Sequence, residues 1–359
     1  MMEMLYKDDW EEARRHLEAW WAGSCLDRAA IRIGAPRKQP LPGDPAPPAP
    51  ADLMTRWTDP EYRVAAHDHA FRHTFYGGES IPSLWVNLGP GVMAGYLGSE
   101  LTFAPGTVWF GQVIHDWSRD QVRFDPHNRW WQETLRATRI ATEAARGKFF
   151  VGLTDLGGVI DVLAHLRGSE NLLVDMAERR QEIKAVRDRL VSVWQQCYLE
   201  LESIIHQHLE GTACWIGTWA PGRTYNIQCD FCCMISSATF EEYVAPELEA
   251  LCRFLDHTTY HLDGPGAVHH LDRLLDLPGL HGIQWTPGSG APETVEWLPM
   301  LKRIQSRGKL LLLHDSLAHA ETILRELSPE GLLLDVHHCP SEDDARELLE
   351  KAKGWGKKS

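Results

Sequence analysis

The densest group of chemically capable side chains is the segment Tyr260-His261-Leu262-Asp263-Gly264-Pro265-Gly266. On a strand, alternation places His261 and Asp263 on the same side. An imidazole and a carboxylate two residues apart suit one metal centre, or a general base with its orienting acid. Asp263 could equally cap the helix that follows by accepting from its first amides. A second patch, Asp335-Val336-His337-His338-Cys339-Pro340, offers imidazole and thiol. Both favour Zn2+, and a catalytic zinc takes three protein ligands and keeps one position open. His261, Asp263 and Cys339 would supply that set, and the spacing allows His338 in place of Cys339. The plainer alternative is a buried thiol beside a surface histidine pair. In the third patch, Cys229-Asp230-Phe231-Cys232-Cys233, a lone C-x2-C lacks the second pair that a structural zinc site needs. Cys232 and Cys233 therefore read as packing residues, and Asp230, in the loop before a helix capped by Ser236, as the functional one.

These residues need elements to hold them. Short apolar or β-branched runs at 31–33, 84–87, 149–153, 213–218, 258–262, 282–285, 310–313 and 332–336 read as eight strands. Helical patterns lie between them, among them a long stretch at 171–208 that reads as two pieces. Strand and helix in alternation imply a parallel sheet, and eight such units predict a (β/α)8 TIM barrel. An amphipathic helix at 8–22 forms an N-terminal extension, and inserted helices and loops swell the early units. The 36–50 stretch has seven prolines in fifteen residues, so it is an extended loop and neither helix nor inner strand. The expectation is one barrel domain over 1–359, with 1–50 holding the N-terminal helix, first strand and Pro-rich loop and 51–359 the rest. A doubly wound sheet is the rival architecture, but no Gly-rich nucleotide fingerprint follows an early strand: Gly77-Gly78 and Gly89-Pro90-Gly91 lack the GxGxxG spacing.

A barrel builds its chemistry at the carboxyl ends of its strands. Just past each strand stand Arg37, Asn87, Asp155, Trp219 with Arg223 and Tyr225, His261 with Asp263, Gln284 with Trp285, and His314 with Asp315. The acid–base candidates are His261, Asp263, Asp230, His314 and Asp315. Arg37, Asn87, Asp155, Trp219, Arg223, Tyr225, Gln284 and Trp285 are candidate substrate contacts, the arginines for an anionic portion and the tryptophans as stacking walls.

The 359 residues hold 50 Asp+Glu against 36 Lys+Arg, a net charge of −14. That balance argues against a nucleic-acid or anionic-membrane binder, which needs clustered cations. The apolar runs at 310–313 and 332–334 are too short to span a bilayer, and the first residues lack the apolar core of an export signal. A cytoplasmic location, with the eight cysteines reduced, is the expectation.

On these residues the chain resembles the uroporphyrinogen decarboxylase superfamily, which includes the zinc-dependent corrinoid methyltransferases. The matching stretches are 150–153 leading into 161–176 (DVLAHLRGSENLLVDM), 230–246 (DFCCMISSATFEEYVAP), 261–264 (HLDG), 337–348, and 81–98 (IPSLWVNLGPGVMAGYLG). The resemblance implies a (β/α)8 barrel. It departs from the decarboxylases at 27–37, which lacks their arginine motif, and at Asn87, where they carry an aspartate. The methyltransferase branch holds zinc with His-x-Cys and a distant Cys. His261 matches the histidine, Asp263 stands at the first cysteine, and His338, or Cys339 after a one-residue shift, stands at the second. The resemblance thus implies a Zn2+-dependent methyltransferase acting on a small methylated or methyl-accepting substrate, with a corrinoid on a partner protein. The alternatives are a metal-free decarboxylase or lyase that grips a carboxylate through arginine, and a non-catalytic tetrapyrrole- or corrinoid-binding protein.

Overall fold

A computed structural model describes residues 4–119 and 122–355. Thirteen strands occur among the described residues, and long apolar runs account for the central ones. The strands are β1 (Ala30–Pro36), β2 (Thr74–Gly78), β3 (Ser83–Trp85), β4 (Leu101–Phe103), β5 (Val108–Phe110), β6 (Phe150–Gly152) and β7 (Thr212–Ala213). They continue with β8 (Trp219–Ala220), β9 (Thr224–Gln228), β10 (His257–Asp263), β11 (Gly282–Thr286), β12 (Leu310–Ser316) and β13 (Leu332–His337). Seven form one sheet in the order β2-β1-β13-β12-β11-β10-β9, parallel except for β2 at its edge. A second sheet runs β3-β6-β7-β8, with only β8 antiparallel, and β4-β5 form a separate hairpin. Helices separate most successive parallel strands, so the architecture is α/β around parallel sheets.

The continuous leucines of β12 and β13 are what a strand buried on both faces requires. Leu310, Leu312 and Leu333 meet Ala30 of β1, Phe150 of β6 and Ala213 of β7 in one cluster, so both sheets face a common inner core. Ile31, Ile33, Leu311, Leu313, Leu332 and Leu334 turn the other way, into the larger core shared with the helices. The Trp10–Trp21 helix covers the amino ends of the strands. Its buried stripe of Trp10, Ala13, Leu17, Trp20 and Trp21 recurs at helical spacing. The Trp20 indole N–H donates to the Gly331 carbonyl just before β13 (3.0 Å).

Two elements differ from the sequence reading. The apolar run at 213–218 is a strand only over Thr212–Ala213. Gly217 adopts φ +71°, and the chain turns back so that Trp219–Ala220 pairs antiparallel with Thr212–Ala213. The strand beside β10 is β9, which begins at Thr224. The 171–208 helical region does break in two, as Ser169–Glu178 and Arg180–Ile205, with Arg179 leaving helical geometry between them. No helix among the described residues is long and apolar enough to cross a membrane.

Candidate active site

The inward-facing residues of the parallel strands change character along their length. On β1, β12 and β13 Ala30, Leu312 and Leu333 are followed two residues on by Arg32, His314 and Asp335, while β9 and β10 are already polar at Asn226 and Thr259, whose side chains bond to each other (2.6 Å). Arg32 of β1 pairs in register with Asp335 of β13, and Asp335 with His314 of β12. On the other side, Gln284 of β11 is the register partner of His261 of β10, which in turn faces Gln228 of β9. Two polar sets, Arg32–Asp335–His314 and Gln284–His261–Gln228, thus stand on the inner side of the strands, with Gln284 in register with Leu312, two residues before His314.

His261 and Asp263 share the inner side of β10, as period-2 alternation demands. Asp230 opens the short helical turn Asp230–Met234 that follows β9. Ligand atoms from Asp230, His261 and Asp263, one from each, lie within 4.8 Å of one another. His261 Nδ1 is hydrogen-bonded to Gln284 Oε1, while Gln284 Nε2 donates to Thr286 Oγ1 (2.7 Å). In this arrangement the amide oxygen accepts from the His261 Nδ1–H, and the tautomer so selected presents Nε2 as the ligand nitrogen. The Trp215 ring sits edge-on to the imidazole at 5.6 Å. The turn after β10 is entered through Gly264 with no side-chain cap, so Asp263 is not engaged as a helix cap.

Asp230 is held in place by a buried aspartate. Asp161, in the first turn of the Val159–Arg167 helix, accepts from the backbone N–H groups of Asp230 (3.0 Å) and Phe231 (2.8 Å). Burial and the nearby charge of Asp230 push its carboxyl up to about 7, against those two hydrogen bonds. Burial likewise raises Asp230, with His261 opposing it. Asp155 is pushed up to about 6 by burial; the Gly157 N–H bond opposes the shift and the Asp230 charge adds to it. Glu247, buried behind Asp161, is raised well above the carboxylate range by burial and by the Asp161 charge.

Beside Asp230 opens a cavity of about 250 Å3, lined by Asp161, His165, Gln228, Asp230, Phe231 and Met234 among others. Gly91 and Gly157 close its back. Gly157 adopts φ +80°, and a Cβ there would lie 2.6 Å from the Gly91 Cα. Only glycine allows the loops after β3 and β6 to approach so closely.

Arg32 forms an ion pair with Asp335 and donates to the Ile216 carbonyl (2.9 Å) and Thr218 Oγ1 (3.1 Å). His314 Nδ1 lies 3.2 Å from Asp335. Burial alone would raise Asp335, but Arg32 and His314 outweigh it and hold the carboxyl well below its usual range.

Other residues singled out in the sequence stand elsewhere. Arg37 donates to the Thr74 carbonyl (3.2 Å), tying β1 to β2. Asn87 accepts from the Gly89 N–H (2.9 Å) as a turn residue. Trp219 is buried against Trp10 at the amino ends. Arg223 precedes β9 at that same end, bonded to Glu202 (3.2 Å) and lying over Phe254. Tyr225 faces outward onto Trp194; its hydroxyl accepts from the Leu156 N–H (2.7 Å) and lies 3.3 Å from Asp155 Oδ1, so it positions the Asp155 loop. Trp285 packs outward on Trp297. Asp315 also points outward, bonded to His319 Nδ1 (2.8 Å) and the Val295 N–H (3.2 Å). Cys339 is buried, its Sγ 3.3 Å from the Ser341 carbonyl. His338 is exposed at φ +58°. Neither belongs to the Asp230–His261–Asp263 group. Cys232 is buried and Cys233 exposed.

Trp215, Gln228, Asp161 and Arg32 escaped the sequence reading, and Asp335 entered it only as the first residue of the His338–Cys339 patch, without a role of its own. A charged residue alternating with isoleucines or closing a leucine run, as in Ile31-Arg32-Ile33 and Leu334-Asp335, is the signal that marks the inner side of a strand.

No protein-family profile matches the sequence, and no curated protein matches it. The structure is similar to that of a methyltransferase from Methanosarcina mazei, with a TM-score of 0.62, 14% sequence identity, and coverage of 95% of this chain and 98% of that one. The two chains share their fold over nearly their whole lengths.

Proposed function

We propose that this chain is a metal-dependent methyltransferase built as a single (β/α)8 barrel domain, acting on a small methylated or methyl-accepting substrate. The observation that carries this reading is the convergence of Asp230, His261 and Asp263 at the carboxyl ends of adjacent strands, with His261 Nε2 left free. The likeness in fold to a methyltransferase supports it. Two carboxylates and a neutral imidazole fit a divalent ion such as Zn2+, which accepts nitrogen and oxygen donors. In this reading Asp230 fills the place considered for Cys339 or His338.

When bound, the ion supplies Lewis acidity toward the heteroatom that gives up or receives the methyl group. The protein's own part is orientation. Gln284 keeps the His261 proton on Nδ1, Asp161 fixes the turn that carries Asp230, and Trp215 shields one edge of the imidazole. The cavity beside Asp230 receives the substrate. A lyase that grips a carboxylate is disfavoured because Arg37 and Arg223 are committed elsewhere and Arg32 pairs with Asp335. The methyl carrier implied by the resemblance is a corrinoid on a partner protein.

The test uses free cob(I)alamin in place of that carrier. Methylated donors are screened with the zinc-loaded protein while cob(I)alamin absorbance is followed. Donor-dependent methylation that fails in His261→Ala supports the reading; none from any donor class, in either direction of transfer, overturns it.

A further inference from the structure

We infer that His314, held by Asp335, is the acid–base residue of the transfer, exchanging through its Nε2 the proton of the heteroatom that loses or gains the methyl group. The inference rests on the function proposed above and adds a residue outside the Asp230–His261–Asp263 group. Leu310 and Leu312 of β12 belong to the inner core, so alternation turns His314 inward as well. Register sets its height. Asp263 is paired with Thr286, and Trp285 with Leu313, which brings Thr286 beside His314. His314 therefore stands level with Asp263, two strands away, with about 10 Å between their backbones and both side chains on the inner side. The loop at 214–218 ties the two groups together. Arg32, which pairs with Asp335, donates to the Ile216 carbonyl (2.9 Å) and Thr218 Oγ1 (3.1 Å), and Trp215 lies edge-on to His261 at 5.6 Å.

Asp335 decides how the imidazole is held. Its carboxylate, which burial would protonate but Arg32 keeps ionised, can only accept. Neutral His314 therefore carries its proton on Nδ1, 3.2 Å from Asp335, and offers the Nε2 lone pair. Among the described residues no hydrogen bond or ion pair engages Nε2, and the side chain is 33% exposed. A carboxylate behind an imidazole also stabilises the imidazolium that proton uptake creates. Arg32 is 5% exposed, and burying it carries a desolvation penalty that an apolar pair would avoid; the ion pair serves to hold this ring. The charged and titratable groups around the ring are Asp335 with Arg32 behind it on one side, Asp263 beyond the uncharged Thr286 on the other, and the exposed His337 one step outward on β13. With a neutral donor R–X–CH3 the X–C bond breaks, its electron pair stays on X, and the electron pair of a cobalt(I) corrinoid takes the methyl carbon. The Nε2 proton of the imidazolium passes to X, which leaves as R–XH. In reverse, an X lone pair takes the methyl carbon, the Co–C pair returns to cobalt, and the X–H proton passes to Nε2.

The test follows methyl transfer to cob(I)alamin by the zinc-loaded full chain across the titration range of an imidazole. Donors fall into two classes. Neutral ones, such as methoxybenzene and dimethyl sulfide, must gain a proton as they leave; cationic ones, such as trimethylsulfonium, leave neutral and need none. With a neutral donor the parent's rate should fall as pH rises, because the protonated ring is the acid. His314→Gln keeps a donor for Asp335 but no transferable proton. It should lower kcat for neutral donors about 100–10,000-fold, abolish that fall with pH, and leave cationic donors within about threefold. Zinc should be retained. Asp335→Asn should impair the same donors, because the amide no longer favours the imidazolium. Equal losses for both classes, a loss of one size at every pH, loss of zinc, or a parent that accepts cationic donors alone would overturn the assignment. No transfer from any donor overturns the proposed function and this inference together. Neutral-donor transfer that survives His314→Gln overturns the inference alone.

Discussion

His261 and Gln284 are register partners on β10 and β11, and the imidazole Nδ1 is bonded to the carboxamide oxygen. A metal-binding histidine usually donates its second ring N–H in this manner, which fixes both tautomer and ring orientation. Gln284→Leu should therefore weaken divalent-metal affinity about 10–100-fold, and Gln284→Glu should retain or strengthen it. Chelator competition measures both. Unchanged affinity in Gln284→Leu would mean that the pair serves packing only.

Arg32 and Asp335 are the charged pair at the same level on β1 and β13. Removing the cation leaves a carboxylate facing the inner core with only His314 beside it. Arg32→Met should cost about 3 kcal/mol in denaturant unfolding. A loss below ~1 kcal/mol would show the pair to be screened like a surface salt bridge.

Asp335 also sets an acid limb. Its folded pKa lies below its unfolded one, so its stabilisation is present above the unfolded value of about 4 and fades as pH falls below it. Asp335→Asn should flatten the decline in thermal stability between about pH 5 and pH 3 relative to the parent chain. Parallel declines would place the acid sensitivity in other carboxyls.

Glu247 has the opposite sign. Its folded pKa is raised, so its contribution is intact below the unfolded value of about 4.3 and is lost as pH rises through the folded value. Glu247→Gln retains an acceptor for the Ile160 N–H and removes the ionisation. The variant should match the parent near pH 5 and exceed it in melting temperature at pH 8. A lower melting temperature at pH 8 would show that the buried carboxylate is needed in its charged form.

What the sequence disclosed and what it concealed follow from parity and strand ends. The leucine runs of β12 and β13 and the helices between strands reveal a parallel α/β arrangement, because burial on both faces leaves no other composition. His261 and Asp263 are legible as a pair because two residues always share a side. Gln284 and Trp285 are not separable that way. They are neighbours on opposite faces, and only register with His261 shows that Gln284 points inward. Trp219, Arg223 and Tyr225 depended on a strand ending at 218. Once Gly217 turns the chain, the strand beside β10 starts at 224, and Arg223 falls at the amino end. Asp230 was visible as a polar residue beside cysteines, but its approach to His261 depends on the turn that Asp161 ties down from 69 residues away.

The central claim is that Asp230, His261 and Asp263 bind a metal. The most direct test is elemental analysis of the full chain, loaded with Zn2+ and exchanged into metal-free buffer. About one ion per chain should be retained, and it should be lost in Asp230→Asn, His261→Ala and Asp263→Asn but kept in Cys339→Ala. Retention unchanged in His261→Ala, or loss in Cys339→Ala with the Asp230 variant unaffected, would contradict the account.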